Sequence, residues 1–421
     1  MQELRRILLC LLVAVVACWV EPAAAVTIRI DYSTDTSNFF GSGNPQGATA
    51  GTQARAALDA AATYYSGILG DTLSAIQAPT FFGSLGGSVS WFWQRNFPDP
   101  TFPNVTNTAL NMPVAANEYI VFVGARDLPS GELGRGGPGG NGSVQTISSG
   151  SFTPQESVQI QATTDQFLNT INTRGETSGF ARWGGSLSVD NSTIWHFNHT
   201  TAPTGNKFDF YSVALHELAH ALGLGASQDW QNLVSGTTFV GTQAQAQYSQ
   251  GGPVPLNSAA DTGHWSTINT GSVVYGGSAS QQPLMVPQLP SNTRRLLTNL
   301  DAAALVDVGW EITLPQPVPG DYNRNRVVDA ADYTIWRNTL GSTTDLRANG
   351  NNSGASAGKI DQADYTFWKS NFGDTSGSGG AASGVPEPTS MVLLVMAGAF
   401  TAFCERRPWP SDSRIERLPA A

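Results

Sequence analysis

Apolar residues recur at helical spacing through an alanine-rich stretch from Ala50 to Ile76, which predicts one long helix. Shorter stretches, Ser88–Trp93 and Tyr119–Val123, are rich in aromatic and β-branched residues and predict strands. Large apolar and polar residues alternate from Ser192 to His199, which predicts another. Leu215, Leu218 and Leu222 then fall at i, i+3 and i+7, a stripe that would face a core, with Asp209 placed to cap the helix. Gly223 and Gly225 supply the residue type that ends helices by entering the left-handed region. A last helix is predicted within Thr298–Trp310, which opens on a Thr-x-x-Asp capping signature and stops at Gly309. The glycine-rich stretch Ser130–Ser143 reads as a surface loop, without the strand-turn-helix context of a phosphate-binding turn. Residues 26–313 thus read as one α+β domain with a sizeable core.

The predicted helix after Asp209 carries His216-Glu217-Leu-Ala-His220. Positions four apart stack on one face of a helix, so two imidazoles can meet one ion with a carboxylate beside them, the arrangement of zinc hydrolases. A catalytic zinc site takes three protein ligands and leaves a fourth position for water. In the compact His-Glu-x-x-His-x-x-Gly-x-x-His pattern the third histidine would stand at 226, where this chain has Ala226. A glutamate on a following helix is nearly closed as an alternative, because none occurs between Glu217 and Glu311. His264, in Asp-Thr-Gly-His-Trp, is the histidine downstream of the motif and the expected third ligand, with Asp229 and Asp261 as carboxylate alternatives. His196 and His199 read as exposed strand histidines, or as part of a strand beside the cleft that pairs with an extended substrate. Met285, in Pro-Leu-Met-Val-Pro, follows at a distance and by itself reads as core filling.

Motif, glycine, distant histidine and methionine stand in the order that resembles the metzincin metalloproteases, in particular the long-spacer, leishmanolysin-like layout. The resemblance implies a twisted mixed sheet beside an active-site helix, with His216, His220 and His264 as zinc ligands, Glu217 as general base and Met285 in the methionine turn. The implied reaction is hydrolysis of peptide bonds in a polypeptide substrate by a zinc-activated water. The tyrosine that some metzincins place two residues after the methionine has no counterpart here.

Residues 1–25 combine Arg5 and Arg6, an apolar run from Ile7 to Val20 and Ala23-Ala24-Ala25, the layout of a secretory signal peptide. A lipoprotein box at Val15–Cys18 fits less well than the alanine cleavage site, and the arginine pair lacks the preceding Ser or Thr of a twin-arginine signal. Cys10 and Cys18 belong to the signal and Cys404 to the C-terminal run, so no disulfide is expected in residues 26–313, nor a cysteine-switch propeptide. A net charge of −10 argues against a nucleic-acid partner and suits an exported domain.

Beyond a Pro-rich linker at 314–319, two segments repeat: Asp332-Tyr-Thr-Ile-Trp and Asp364-Tyr-Thr-Phe-Trp, each after a loop rich in Asp and Asn. Asp321, Asn323, Asn325, Asp329 and Asp332 stand at positions 1, 3, 5, 9 and 12 of a calcium loop, although Arg326 replaces the usual glycine at position 6. The second loop matches only in its later half. Residues 320–374 resemble a dockerin domain, which implies a small α-helical, calcium-stabilised unit and a cohesin-like partner. A Gly/Ser linker at 375–384 leads to Val385-Pro-Glu-Pro388, an apolar stretch from Met391 to Cys404 and Arg406-Arg407, with a tail at 408–421. Residues 385–407 resemble a PEP-CTERM sorting signal, which implies transient membrane retention through a transmembrane helix and processing by an exosortase-type enzyme. Two functions fit these signals: an exported or surface-sorted zinc endopeptidase, and a non-catalytic matrix or adhesion protein assembling through its dockerin-like module. The retained Glu217 favours the enzyme, since a protein that only binds has no use for the base.

Overall fold

The computed structural model describes residues 26–129, 131–142, 144–176, 182–269, 271–277, 279–314, 318–323, 327–343, 345–351 and 353–374. The expected signal peptide, the sorting signal and Asn325 lie outside these residues. A four-stranded mixed sheet organises the larger unit. Strands β1 (Thr27–Asp31), β2 (Glu118–Arg126) and β4 (Gly184–Asp190) run parallel, and β3 (Gly134–Pro138) closes one edge antiparallel to β4, in the spatial order β1-β2-β4-β3.

Alternation along β2 sorts its side chains between two cores. Tyr119, Val121, Val123 and Ala125 enter the larger one, with helix α1 (Ala48–Ser66) and helix α3 (Phe210–Ala221). Ile120 and Phe122 face the other way, against Phe167 and Ile171 of helix α2 (Pro154–Thr173), against Trp91 and Phe97 from two small antiparallel sheets, and against Trp93 between them. Strand, helix and parallel strand in succession bury both sheet faces, the arrangement that parallel pairing requires.

The sequence reading departs from this fold in three places. The first helix stops at Ser66, where Gly67 follows, so Leu69, Leu73 and Ile76 are buried as irregular chain. The strand expected over Ser192–His199 is confined to Trp195–His196, which pairs with Phe208–Asp209 before the chain turns. The glycine-rich loop expected at Ser130–Ser143 contains the edge strand β3. Its glycines are there for contact: a Cβ at Gly136 would lie 2.1 Å from the Glu217 carbonyl oxygen, and one at Gly139 2.0 Å from the Trp183 ring. The backbone reaches the active helix and the sheet core only where side chains are missing.

The last helix of this unit is α4 (Asn299–Asp307), with the Thr298 capping box in place. The C-terminal unit is a pair of helices, α5 (Ala330–Thr339) and α6 (Gln362–Ser370), around a core of Tyr322, Val328, Trp336, Ala348, Ile360 and Trp368. Its two repeats are bonded reciprocally. Trp336 Nε1 donates to the Asp361 carbonyl at 2.8 Å, and Trp368 Nε1 to the Asp329 carbonyl at 3.0 Å. Among the described residues no helix is long and apolar enough to cross a membrane.

Candidate metal centre

Helix α3 is anchored at both ends. Asp209 caps it by accepting from Ser212 N and Oγ, and is itself held by the Arg294 fork at 3.0 and 2.7 Å. At the other end Gly223, with φ +106°, donates to the His220 carbonyl while Leu224 N reaches back to Ala219 O, a Schellman turn. Two carbonyls of the last turn are met by side chains from other elements, Ala221 O by the Tyr119 hydroxyl and Leu222 O by Trp310 Nε1. Leu215, Leu218 and Leu222 are fully buried beneath, which turns His216 and His220 toward the cleft.

The next turn delivers the third imidazole. Gly225 takes φ +72°, and a Cβ there would sit 2.2 Å from the Gly263 carbonyl oxygen, so the chain leaving the helix lies against a later hairpin. That hairpin pairs β5 (Val254–Ser258) with β6 (Asp261–Trp265) through an irregular register. It is pinned from behind by Trp230, whose ring stacks on Phe239 at 4.2 Å and whose Nε1 donates to Thr262 O at 2.9 Å. His264 projects from it over the helix.

The His264 Nε2 atom lies 3.1 Å from His220 Nε2 and 3.3 Å from His216 Nε2. Every Nδ1 in the group is already engaged. His216 donates to Leu284 O at 2.9 Å, His220 to Leu224 O at 2.7 Å, and His264 to the Asp261 carboxylate at 2.8 Å. With the Nδ1 protons so placed, neutral rings turn three Nε2 lone pairs toward one point. Lone pairs repel unless an electrophile sits between them. Tetrahedral zinc with Zn–N of about 2.05 Å would set neighbouring nitrogens roughly 3.3 Å apart, so the donor set fits that ion. Among the described residues, these histidines are the one group of three or more potential ligand residues whose donor atoms lie so close together.

Burial shapes the electrostatics. It holds His216 well below the usual histidine range and brings His220 down to about 4, with the other imidazoles of the group adding to the shift. Both are therefore neutral, the form that binds metal, at neutral pH. Burial pushes Glu217 up to about 8, against the pull of the Gly136 N–H, which donates to its Oε2 at 2.6 Å. Glu132 raises it further and Arg135 opposes. Burial thus makes its carboxylate a stronger proton acceptor than a free one.

Among the other expected residues, Met285 is fully buried, its carbonyl accepting from Trp265 N and its N–H donating to Asp301. Asp261 approaches the group through the His264 ring, and Asp229 lies on a short helix, Gln228–Asn232, outside it. His196 bonds to the carbonyls of Asn198 and Thr201, and His199 faces the Tyr211 ring, so neither joins the centre. Asp329 caps α5, and Asp332 accepts from Asn323 N and Asp329 N. Asp321, Asp329 and Asp332 do not converge as the histidines do.

Three residues have roles that the sequence does not show. Gly136 was hidden in an apparent loop, though its Gly-Arg-Gly-Gly-Pro setting lacks turn residues other than glycine and proline. Asp261, a carboxylate alternative by sequence, holds the ring of His264 instead. Asp301 completes the Thr298 cap, and its buried carboxylate also accepts from Leu284 N, Met285 N and Trp265 Nε1. It ties the carbonyl that holds His216 to the residue after His264.

Residues 163–250 match the matrixin family model, a peptidase family. The match takes in α3 with its His-Glu-x-x-His motif and ends before His264. With the three-histidine group, it supports a metzincin-type zinc metalloendopeptidase at family level, and an α+β fold of metzincin type. No curated protein and no solved structure matches the chain.

Proposed function

We propose that this chain is an exported, surface-sorted zinc metalloendopeptidase in which His216, His220 and His264 hold the metal and Glu217 is the general base. The observation that carries the reading is the convergence of three Nε2 atoms beside a buried glutamate, in a cleft of about 1270 Å³. When bound, zinc would supply a Lewis acid for the scissile carbonyl and an acidified water.

Glu217 takes the proton from the attacking water and returns it to the leaving amine, while the Gly136 N–H keeps its carboxylate aimed into the cleft. Strand β3 is the edge of its sheet and runs along this cleft, so an extended polypeptide can add to it as a further strand. Its glycines leave room for backbone to approach backbone.

The remaining assignments follow from sequence. Export rests on residues 1–25, surface sorting with transient membrane association and exosortase-type processing on 385–407, and calcium binding with a cohesin-like partner on the repeated loops of 320–374. The long-spacer, leishmanolysin-like layout rests on Ala226 and on the distance to His264.

The test combines metal content with peptide cleavage by the full chain. One zinc per chain and cleavage are expected. Glu217→Gln should keep the zinc and lose roughly a hundredfold or more in rate, and His264→Ala should lose the zinc. Zinc retained at full occupancy in His264→Ala would overturn the ligand set. Undiminished cleavage by Glu217→Gln would overturn the mechanism.

A further inference from the structure

Arg295 is 5 % exposed yet lines the cleft of the three histidines beside Ser212, Val213, Leu289 and His216. Its backbone N–H donates to Ser212 Oγ at 2.7 Å, one turn before His216 on α3, which fixes the residue next to the reacting centre. The guanidinium meets two acceptors, Gln288 O at 2.7 Å and Gln282 Oε1 at 2.8 Å. Both are neutral. Among the described residues, no carboxylate comes within ion-pair distance of Arg295, whereas its neighbour Arg294 pairs with Asp209.

Desolvating a guanidinium costs several kcal/mol that neutral acceptors only partly offset; Arg174 is likewise buried among backbone carbonyls, but Arg295 differs in lining the cleft. Burial accordingly pulls Arg295 below the usual arginine range, and Asp301, the acidic group whose charge acts against this, is committed to its own donors. The site therefore gains most from a ligand that brings a carboxylate. Planar and forked, the guanidinium suits that shape.

We infer that Arg295 is a specificity-determining residue that selects an acidic side chain, Asp or Glu, at a position flanking the scissile bond. The inference rests on the proteolytic reading of the centre. A purely structural role, clamping the segment from Gln282 to Gln288 around Met285, would affect all substrates alike.

The test uses the zinc-loaded full chain and peptides that differ only in carrying Asp, Glu, Asn or Leu on either side of the cut. At one flanking position, Asp and Glu should be preferred over Asn and Leu by roughly ten- to a hundredfold in kcat/KM, the range of a charge-assisted hydrogen bond. Arg295→Gln should collapse that ratio, and Arg295→Lys, which keeps the charge, should restore part of it. A ratio unchanged in Arg295→Gln, or an equal loss for every peptide, would overturn the inference. The same peptides titrated calorimetrically into the zinc-loaded Glu217→Gln chain give a readout without turnover, with the same order expected in Kd. Acid-selective binding that depends on Arg295 without cleavage by the wild-type chain overturns the proteolytic reading alone. Cleavage without acid preference overturns only the role of Arg295.

Discussion

Asp261 contributes to the metal centre without entering it. Its carboxylate is pushed up by burial but brought below the usual range by His264, and Asn257 and the Gly263 N–H bond to it as well. Fixing the His264 tautomer this way makes the ring a better donor. Asp261→Ala should therefore weaken zinc binding roughly 10- to 100-fold with the fold intact, measured by competition with a chelator. An affinity equal to the wild type would show that hairpin packing alone orients the ring. Such a partner is hard to read from sequence, because an aspartate three residues before a histidine looks the same whether it binds the ion or the imidazole. His216, Glu217 and His220 were legible for the opposite reason: one helical turn fixes their relations.

At the scale of elements, the edge strand is the least legible part of the site and the most constrained. Glycine and proline mark turns by local chemistry, yet β3 is shaped by tertiary contact, and no local pattern encodes what α3 will press against it. Gly136→Ala should force strand and helix apart, costing about 1–3 kcal/mol as an overpacked contact and cutting cleavage by about a hundredfold through misplacement of Glu217. Denaturation and kinetics on one preparation check both. Helix α2 is absent from the sequence reading although local chemistry marks its start: Thr153 and Glu156 form a capping box, and Glu156 also accepts from Ser84 N. The Ser84 and Thr153 N–H groups bring Glu156 down to about 2. A lowered carboxylate pKa stabilises the fold above its unfolded value of about 4.3, and this stabilisation is lost as pH falls from there toward 2. Acid denaturation of Glu156→Gln should accordingly show a shallower dependence on pH across that window than the wild type.

Across the whole molecule, the two cores on either face of the mixed sheet share β2 and should unfold together, while α5 and α6 enclose a core of their own. Two thermal transitions are expected. If the repeated loops bind calcium, a calcium-selective chelator should lower only the transition that Trp336→Phe and Trp368→Phe also lower, each by about 1 kcal/mol for a lost buried hydrogen bond. A single transition insensitive to the chelator would remove calcium from the account. The α+β class was legible, since it follows from alternation along the chain. The meeting of Gly225 with Gly263 was not, and it has its own consequence. Because the chain is pinned where it leaves the active helix and again where His264 begins, the stretch between them is a closed excursion with fixed ends. Insertions at its exposed turn near Gly251 and Gly252 should leave the metal geometry untouched, which makes that turn a natural place to graft a label or a second binding module.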